Sequence, residues 1–483
     1  TYNIGIGSFA GKDITTGSKN VLVGGFAGDD MTTGQNNIGI GYHAIGGITT
    51  GDSNIAIGFE AGNSLTSGNA QVLIGHETGQ SLTTGARNVA IGHNALKTED
   101  EHGRNVAIGY QSLKILNAGA DAFNTAVGYD SGLNITTGTQ NTLIGGRAGD
   151  ALTSGIDNVA LGYLALSNED TGSRSVAIGQ SALLAQNFNG NAYNIGLGYA
   201  AGIQITTGVQ NTLIGALSGI TMTDDTANTA VGYQALKSNN GGDNNTAVGH
   251  NAGLAVVNGG NNTLIGTQAG VAVTSGANNT LIGQGAGGVL TTGNNNVVVG
   301  RDTDLAANSN NSCIIIGEGL TGLGSNTTLI GNSATTKAHV HGLVKPTNET
   351  NANVAVALPN NIYVFSDADG ATVTLPDSGS GAYLGATIEF IIKTNATSNS
   401  HKIILADTTN EKFIGTIATI DTDNDNAATF YTPATSNKAI TMNGTTTGIV
   451  GSRIRVTNIA TDIWSVEGTI LHTGNTATPF SNS

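Results

Sequence analysis

Apolar and polar positions repeat in one short pattern along the first two thirds of the chain. A segment of four residues ends in Ile-Gly, Val-Gly or Leu-Gly and occurs 20 times. Most of its glycines follow one another at a constant period of seventeen, with two longer intervals and one shorter interval at the end. A fixed period of this kind is typical of a solenoid, in which each repeat is one coil. The glycines lie at positions 7, 24, 41, 58, 75, 92, 109, 128, 145, 162, 179, 198, 215, 232, 249, 266, 283, 300, 317 and 331.

Within each copy, the residues before the glycine predict a short strand. The third residue before the glycine is Val, Ile or Thr in all 20 copies, and the residue directly before it is Ile, Val or Leu. The residue between them is Ala, Leu, Gly, Val or Ile, so the strand is apolar on both faces. The third residue after the glycine is Ala, Ser or Thr in 19 copies, with Leu320 as the exception, which predicts a thin interior.

An asparagine precedes the strand in most copies. It holds the fourth position before the glycine in 16 copies, and Gln71, Ser175, Cys313 and Thr327 hold it in the others. Stacked amide side chains of this kind can hydrogen-bond from coil to coil, as they do in cross-β structures. Together with TTG or TSG turns, the repeat predicts an all-β fold that begins as a parallel β-roll, or solenoid. We expect about 20 coils, each with two short strands and two turns, stacked over ~90–95 Å at ~4.8 Å per coil.

The second apolar face of the strand predicts a partner. A thin coil has one interior, so only one face of the strand can point into it. The other face would leave a long apolar stripe in water unless something covers it. We therefore predict a homo-oligomer of parallel solenoids around a common axis. The alternative is a single solenoid whose stripe is covered by another segment or stays exposed.

Composition excludes several classes of protein. The net charge is −15 with 18 basic residues, so we expect no nucleic-acid partner. No apolar run is long enough for a membrane span, so we expect no membrane insertion. A single cysteine excludes a disulfide framework and a cysteine-based zinc site. The chain begins at Thr1 without a methionine or a signal-like segment, which we interpret as a fragment or a processed form.

The pattern changes after residue 331. Residues 332–350 are predicted to form a connector, or neck, and residues 351–483 a separate domain. The latter contain nine or ten short strand candidates separated by turn segments such as DADG and DSGSG, with no helical pattern. This spacing predicts a β-sandwich of jelly-roll type. The predicted organisation is thus a β-roll shaft over 1–331, the connector, and a C-terminal tip.

The repeats carry a resemblance to known families. Units such as NVAIGHNALK, NTAVGYQALK and NTLIGGRAGDALTSG resemble the head repeats of trimeric autotransporter adhesins, and similar arrays occur in bacteriophage tail fibres and tail spikes. GSRIRVTNIATDIWSVEG, near the C-terminus, resembles the closing hairpin of phage fibre tips. The resemblance implies a homotrimeric tail fibre of a virion. Its tip would bind a host-surface glycan or protein, and its N-terminal end other tail proteins. The coil common in the adhesin family is shorter than the period of this chain, which leaves the handedness open.

Two groups of residues are candidates for metal binding. His339 and His341 alternate within AHVHG, so on a strand both imidazoles would face one side, and three chains would bring six together. AHVHG resembles the iron-binding HxH pairs of long tail fibres, which implies iron; two ordinary surface histidines are the alternative. Asp421, Asp423 and Asp425 alternate as at the start of a calcium loop. The loop departs from that pattern at its sixth and twelfth positions, and the alternative is a solvated acidic turn.

Aromatic residues of the tip are candidates for receptor binding. Tyr383 and Tyr431 lie near turns, where an exposed ring could stack on a glycan. Trp464 is the third candidate, although its alternation with apolar residues in a strand favours core packing. The sequence contains no catalytic constellation, because Cys313 has no nearby histidine and the scattered carboxylates have no matched partner. The predicted function is therefore adhesion without enzymatic activity; the alternative is a bacterial extracellular adhesin or filament-forming surface protein.

Overall fold

The structure is a computed structural model in which two compact units divide the chain, Thr1–Ala338 and His339–Ser483. It describes residues 2–331, 347–350, 357, 360–379, 383–397, 399–422, 428–444, 447–473 and 478–482. Across these ranges, no helix is long and apolar enough to cross a membrane.

The first unit is a parallel β-solenoid. Twenty strands, each three residues long, form one sheet, and each strand pairs in parallel with the strand of the next coil. The sequence period sets the register, because Ile4 pairs with Val21 and Val21 pairs with Ile38. The strands are β1 (Ile4–Ile6), β2 (Val21–Val23), β3 (Ile38–Ile40), β4 (Ile55–Ile57), β5 (Val72–Ile74), β6 (Val89–Ile91), β7 (Val106–Ile108), β8 (Thr125–Val127), β9 (Thr142–Ile144), β10 (Val159–Leu161), β11 (Val176–Ile178), β12 (Ile195–Leu197), β13 (Thr212–Ile214), β14 (Thr229–Val231), β15 (Thr246–Val248), β16 (Thr263–Ile265), β17 (Thr280–Ile282), β18 (Val297–Val299), β19 (Ile314–Ile316) and β20 (Thr328–Ile330).

Each coil contains one strand, which corrects the prediction of two. The opposite side of the coil, with its TTG segments, has turn and bend geometry. It is still tied to its neighbours, since the backbone N–H of Thr32 donates to the carbonyl of Thr49 at 3.0 Å. Left-handed backbone recurs in the turns on either side of this segment, as at Phe26 and Asn36, where φ is 58° and 59°.

The glycine that ends each strand is required by the stacking. From Gly7 to Gly317 this residue has φ between 128° and 148°, a region that L-residues rarely adopt. A Cβ on Gly41 would collide with the carbonyl oxygen of Gly58 in the next coil. The glycine therefore permits both the corner and the close approach of adjacent coils, which explains why all 20 copies keep it.

The interior is thin, as the small residues predict. The middle residue of every strand from β2 to β19 is buried, and so is the small residue three positions after the strand glycine, such as Ala27. Large and small residues exchange places within a coil. Where the strand centre is Leu22, Gly28 stands opposite, and a Cβ there would lie 2.9 Å from the leucine Cδ2. Where the centre is Ala90, Leu96 fills the space instead, so each cross-section keeps its volume.

The second unit contains two β-sheets. The larger has seven strands in the order β21-β22-β24-β29-β30-β26-β27, and the smaller has four in the order β23-β25-β28-β31. The strands are β21 (Thr347–Thr350), β22 (Ile362–Phe365), β23 (Thr372–Thr374), β24 (Thr387–Ile392), β25 (His401–Ile404), β26 (Lys412–Asp421), β27 (Ala428–Tyr431), β28 (Ala439–Met442), β29 (Arg453–Ala460), β30 (Ile463–His472) and β31 (Phe480–Ser481). Side chains of both sheets, such as Phe390 and Ile403, share one buried core, as predicted for a sandwich.

The strand pairing departs from a jelly roll, whose strands are antiparallel. β22 and β24 are parallel, β23 and β25 are parallel, and β26 and β30 are parallel along the whole length of both strands. From β22 to β26, consecutive strands alternate between the two sheets. A chain that crosses to the other sheet and returns re-enters the first sheet in its original direction, which makes the neighbours parallel.

Candidate functional site

The outward face of the solenoid sheet is the largest candidate surface. The first and third residues of each strand from β1 to β20 point away from the interior, and we call these two columns the outer stripe. Its side chains are partly or well exposed; Ile6 is 60% exposed and Leu161 40%. The columns contain only Val, Ile, Leu and Thr, without a single charge over 20 strands. The structure thus places the second apolar face of the strand in solvent.

An aromatic column extends the outer stripe on one side. The residue after the strand glycine is aromatic or histidine in six successive coils, and these rings stack with centroid separations of 5.0–5.6 Å and interplanar angles of 7–15°. Most ring faces are covered by neighbouring rings, so the column presents mainly ring edges. The sequence interpretation missed it, although the same position is aromatic in successive copies. The six residues are Tyr42, Phe59, His76, His93, Tyr110 and Tyr129.

Trp464 lies in the core of the second unit, which corrects its assignment as a receptor-binding residue. Its side chain is fully buried, and its indole Nε1 donates a hydrogen bond to Glu411 at 3.2 Å. A ring without exposed area cannot stack on a ligand from solvent. Glu411 is buried as well and accepts further hydrogen bonds from Ser378 and from the backbone N–H of Asp407. These contacts give the tryptophan a structural role.

The other two aromatic candidates are only partly accessible. Tyr383 lies in a turn and is half-buried. Tyr431 is partly buried and packs against the core, whereas its neighbour Phe430 is 69% exposed on the opposite face of β27. Because adjacent residues of a strand face opposite sides, the exposed aromatic of this strand is Phe430. The predicted contacts of Tyr383 and Tyr431 with a receptor stay predictions.

The predicted metal sites fall mostly outside the described residues. His339, His341, Asp423 and Asp425 lie there, so the iron and calcium sites stay predictions. Asp421 is described and ends β26, where it pairs with His472 of β30. Of the three predicted calcium ligands, the structure thus describes only Asp421, at the end of the β26–β30 pair.

A different group of acidic and imidazole side chains comes together in the solenoid. Ligand atoms of Glu99, Asp100 and His102 lie within 4.8 Å of one another. Glu99 is fully buried, and burial raises the pKa of its carboxyl group. Its oxygens accept the backbone N–H groups of His102 at 3.2 Å and Ala118 at 3.3 Å. Glu169, at the same position of a later coil, accepts the backbone N–H of Gly172 at 2.7 Å. Both glutamates therefore close a turn that lacks the TTG segment.

The outer face of the seven-stranded sheet carries a charged cluster. Arg455 on β29 contacts Glu389 of β24 at 3.1 Å and Glu467 of β30 at 3.0 Å. The hydrogen bonds from Arg455 to these carboxylates, foremost Glu389, raise the pKa of its guanidinium group. Beside this trio lies Arg453, and the cluster lines a shallow cavity of about 320 Å³. No sequence pattern singled out these residues, because strands distant in the chain bring them together.

Comparison with protein-family models, with curated proteins and with solved structures gave no match. The chain's own surfaces are therefore the guide to its function.

Proposed function

We propose that this chain is the subunit of a homotrimeric adhesion fibre, a phage tail fibre, whose solenoids form the shaft. The observation that carries the proposal is the outer stripe, an uncharged apolar face that runs through all 20 strands of the solenoid. A face of this length is unusual on a protein that stays monomeric. A second and a third copy of the same stripe are complementary to it in length, spacing and polarity.

The size of the stripe is sufficient for stable association. Burying a partly exposed Val, Ile or Leu completely is worth about 1 kcal/mol. With one such side chain per coil, the stacked coils supply on the order of 20 kcal/mol per chain. Association costs roughly 4–15 kcal/mol in lost translational and rotational freedom. Full burial of the stripe thus exceeds the upper end of that cost.

Three copies are proposed because the repeat units resemble those of trimeric adhesin heads and phage fibres. In this arrangement the second unit of each chain binds a host-surface receptor, and the N-terminal end contacts other tail proteins of the virion. Three weak sites on one stiff assembly would act together through their high effective concentration. Hydrogen bonds between successive coils make the solenoid stiff. They link the whole stack, in which each coil contacts only its neighbours.

The shaft proposal is tested by placing charge in the stripe. Ile40→Lys with Ile57→Lys introduces one lysine into each of two adjacent coils of the outer stripe. Thr33→Lys with Thr50→Lys is the matched control, because both threonines are exposed, lie outside the stripe and occupy equivalent positions of adjacent coils. We expect the stripe variant to lower the assembled mass in light scattering or to shift dissociation to higher protein concentration, and the control to leave both unchanged. Equal behaviour of the two variants would contradict the proposed interface.

The receptor half of the proposal needs its own experiment. Fluorescently labelled intact chain is incubated with a panel of bacterial cells, before and after their surface polysaccharide is removed. The proposal predicts retention on a subset of strains. If the assembled protein is retained on none of the cells, the adhesion function is wrong even where the shaft assembles as expected.

A further inference from the structure

The charged cluster on the seven-stranded sheet is arranged as one row across three strands. Glu389, Arg455 and Glu467 lie directly opposite one another, because Glu389 pairs with Arg455 in the β24–β29 register and Arg455 pairs with Glu467 in the β29–β30 register. Arg455 thus has a carboxylate on each side, and its positive charge is more than neutralised. The exposed carboxylate of Glu467 keeps further lone pairs that can accept hydrogen bonds from solvent or from a ligand.

The next row, two positions along the strands, contains a second arginine. Arg453 is exposed on the same face, beside Ile391 of β24 and Thr469 of β30. Within the described ranges, no acceptor or carboxylate lies within hydrogen-bonding or ion-pair distance of its guanidinium group. This row therefore presents the guanidinium group of Arg453 without an ion-pair partner, and the two carboxylates bound to Arg455 lie in the neighbouring row.

This same row ends in an exposed aromatic ring. Thr469 pairs with Ala418 of β26, and Ala418 pairs with Phe430 of β27. Phe430, at 69% exposure, is the most exposed large apolar side chain among the described residues of the second unit. Neighbouring strands lie ~4.8 Å apart, so three strand spacings separate the arginine from the phenylalanine by about 14 Å. The small side chains of Thr469 and Ala418 leave the surface low between them.

The adjoining cavity has the size and lining of a small-ligand site. Its volume of about 320 Å³ lies at the lower end of the range typical of such sites, ~300–1,000 Å³. The side chains that give it chemical character are Glu389, Ile391, Arg453, Arg455, Glu467 and Thr469. Two guanidinium groups, two carboxylates and a hydroxyl around a shallow depression suit a ligand with several hydroxyl groups and one acid group.

The geometry points to a saccharide that bears a carboxylate as the ligand of this surface. We assign its carboxylate to Arg453, because a guanidinium fork matches a carboxylate in two parallel hydrogen bonds. Glu389, Glu467 and Thr469 would bind its hydroxyl groups, and the apolar face of a neighbouring sugar would stack on Phe430. The assignment deepens the proposed function, on which it rests, by naming the class of receptor.

Overall charge favours a carboxylated saccharide over a polyphosphate. The chain has a net charge of −15, so a densely charged polyanion is repelled by the protein as a whole. A saccharide with one carboxylate per few sugars meets one free arginine without accumulating that repulsion. Besides the hydrogen bonds from Arg455, the carboxylate of Glu467 can accept hydrogen bonds from hydroxyl groups, which phosphate oxygens cannot donate.

A glycan array with the intact protein tests the ligand class. The array carries neutral oligosaccharides, oligosaccharides with uronic or sialic acid, and the same acidic oligosaccharides after methyl esterification of the carboxylate. We expect binding to acidic saccharides that esterification lowers at least tenfold. Equal binding to the acid and its ester would overturn the role of the carboxylate.

Variants locate the site for the acidic saccharide that binds best on the array. Arg453→Gln should weaken its affinity at least tenfold in calorimetry, and Phe430→Ala severalfold. Lys412→Gln is the matched control, because it removes one positive charge from the same sheet face, about 20 Å along the strands. Each variant must keep the thermal unfolding midpoint reported by Trp464 fluorescence.

The outcomes separate this site from the proposed function. If Arg453→Gln binds like the unmodified chain, or if no acidic saccharide binds while the chain still adheres to cells, this site is wrong and adhesion stands. If the chain neither adheres to cells nor binds any saccharide, both proposals fail. Loss of binding in Arg453→Gln alone, with Lys412→Gln unchanged, supports the site.

Discussion

The side-chain oxygen of Asn37 accepts the backbone N–H of Asn54, one coil further along, at 2.9 Å. The side-chain nitrogen of Asn37 donates to the carbonyl of Gly51 at 2.8 Å. Asn37 thus binds two backbone groups of the following turn in the buried interior, and most asparagines of the column repeat this arrangement. The expected asparagine column is present, and it bonds chiefly to backbone groups rather than from one side chain to the next.

Removal of one amide from this column should destabilise the solenoid. Asn37→Ala leaves the N–H of Asn54 and the carbonyl of Gly51 buried without these partners, at a cost of about 2–4 kcal/mol. Asn37→Gln should be tolerated better, because Gln71 naturally holds the same position and accepts the N–H of Asn88 at 3.0 Å. Denaturant unfolding measures the difference. Equal losses for the Ala and Gln variants would refute the hydrogen-bonding role.

Two adjacent glycines should differ strongly in their tolerance of alanine. Gly24 has φ of 134°, and a Cβ there would collide with the carbonyl oxygen of Gly41. Gly24→Ala should therefore cost about 3 kcal/mol or more through backbone strain and overpacking. At Gly25 the nearest atom to a new Cβ is Cδ2 of Tyr42 at 3.4 Å, an ordinary contact. Gly25→Ala should change the free energy of unfolding by less than about 0.5 kcal/mol. Denaturant unfolding of the two variants checks this contrast, and similar losses in both would contradict it.

The solenoid could be predicted from the sequence because its period, strand residues and interior residues recur in every coil. The three strand residues before Gly41 are β3, as alternation predicts. The prediction of a second strand was wrong, because the residues around the TTG segment adopt turn and bend geometry, which the segment's composition does not distinguish from a short strand. Some coils have a large strand centre opposite a small residue, as Leu22 with Gly28, and others have the reverse, as Ala90 with Leu96. This compensation was not predicted, because the two positions are separated in the sequence and only the coil's cross-section brings them into contact.

The buried carboxylate of Glu411 should be essential for the second unit. Its oxygens accept the indole N–H of Trp464 at 3.2 Å and the N–H and hydroxyl of Ser378 at 2.8 and 2.6 Å. Glu411→Ala leaves these donors buried without that acceptor, and we expect a loss of about 3–5 kcal/mol. Glu411→Gln keeps one acceptor and should lose less. Fluorescence of Trp464, the chain's single tryptophan, reports the unfolding midpoint, and an unchanged midpoint in Glu411→Ala would contradict the account.

The stability of the second unit should fall in mild acid through His401. This imidazole is buried; its Nδ1 accepts the N–H of Ala371 at 3.1 Å, and its Nε2 donates to the carbonyl of Thr394 at 2.9 Å. Burial lowers its pKa below the usual 6.5, so the unfolded chain binds a proton at higher pH than the folded chain. This stabilisation is present above pH 6.5 and is lost as the pH falls toward the lowered folded pKa.

The variant His401→Gln separates this imidazole from other titrating groups. It retains a donor and an acceptor but cannot be protonated in this range. Denaturant unfolding between about pH 5 and about pH 7.5 should show a smaller decrease in stability for the variant. The same pH dependence in both proteins would exclude His401 as the cause.

The second unit was predictable only in part. Short strands between turns indicated two packed sheets, and Trp464 follows its apolar neighbours into the core. The parallel pairing of β26 with β30 was not predictable, because it depends on crossings between sheets that no local pattern encodes. Whether Phe430 or Tyr431 faces solvent depends on the strand register, because a shift by a single position turns each side chain to the other face of the sheet. The row from Glu389 to Glu467 joins distant parts of the sequence and is visible only in the sheet.

The mass of the intact chain in solution decides whether the outer stripe is an interface between copies of the chain. Sedimentation equilibrium over a range of concentrations should give a single species with three times the 48.4 kDa mass of one chain, and this species should resist dilution. That result is expected if the outer stripe is buried against two further copies. A monodisperse species of 48.4 kDa at all concentrations would leave the stripe in water and contradict the account.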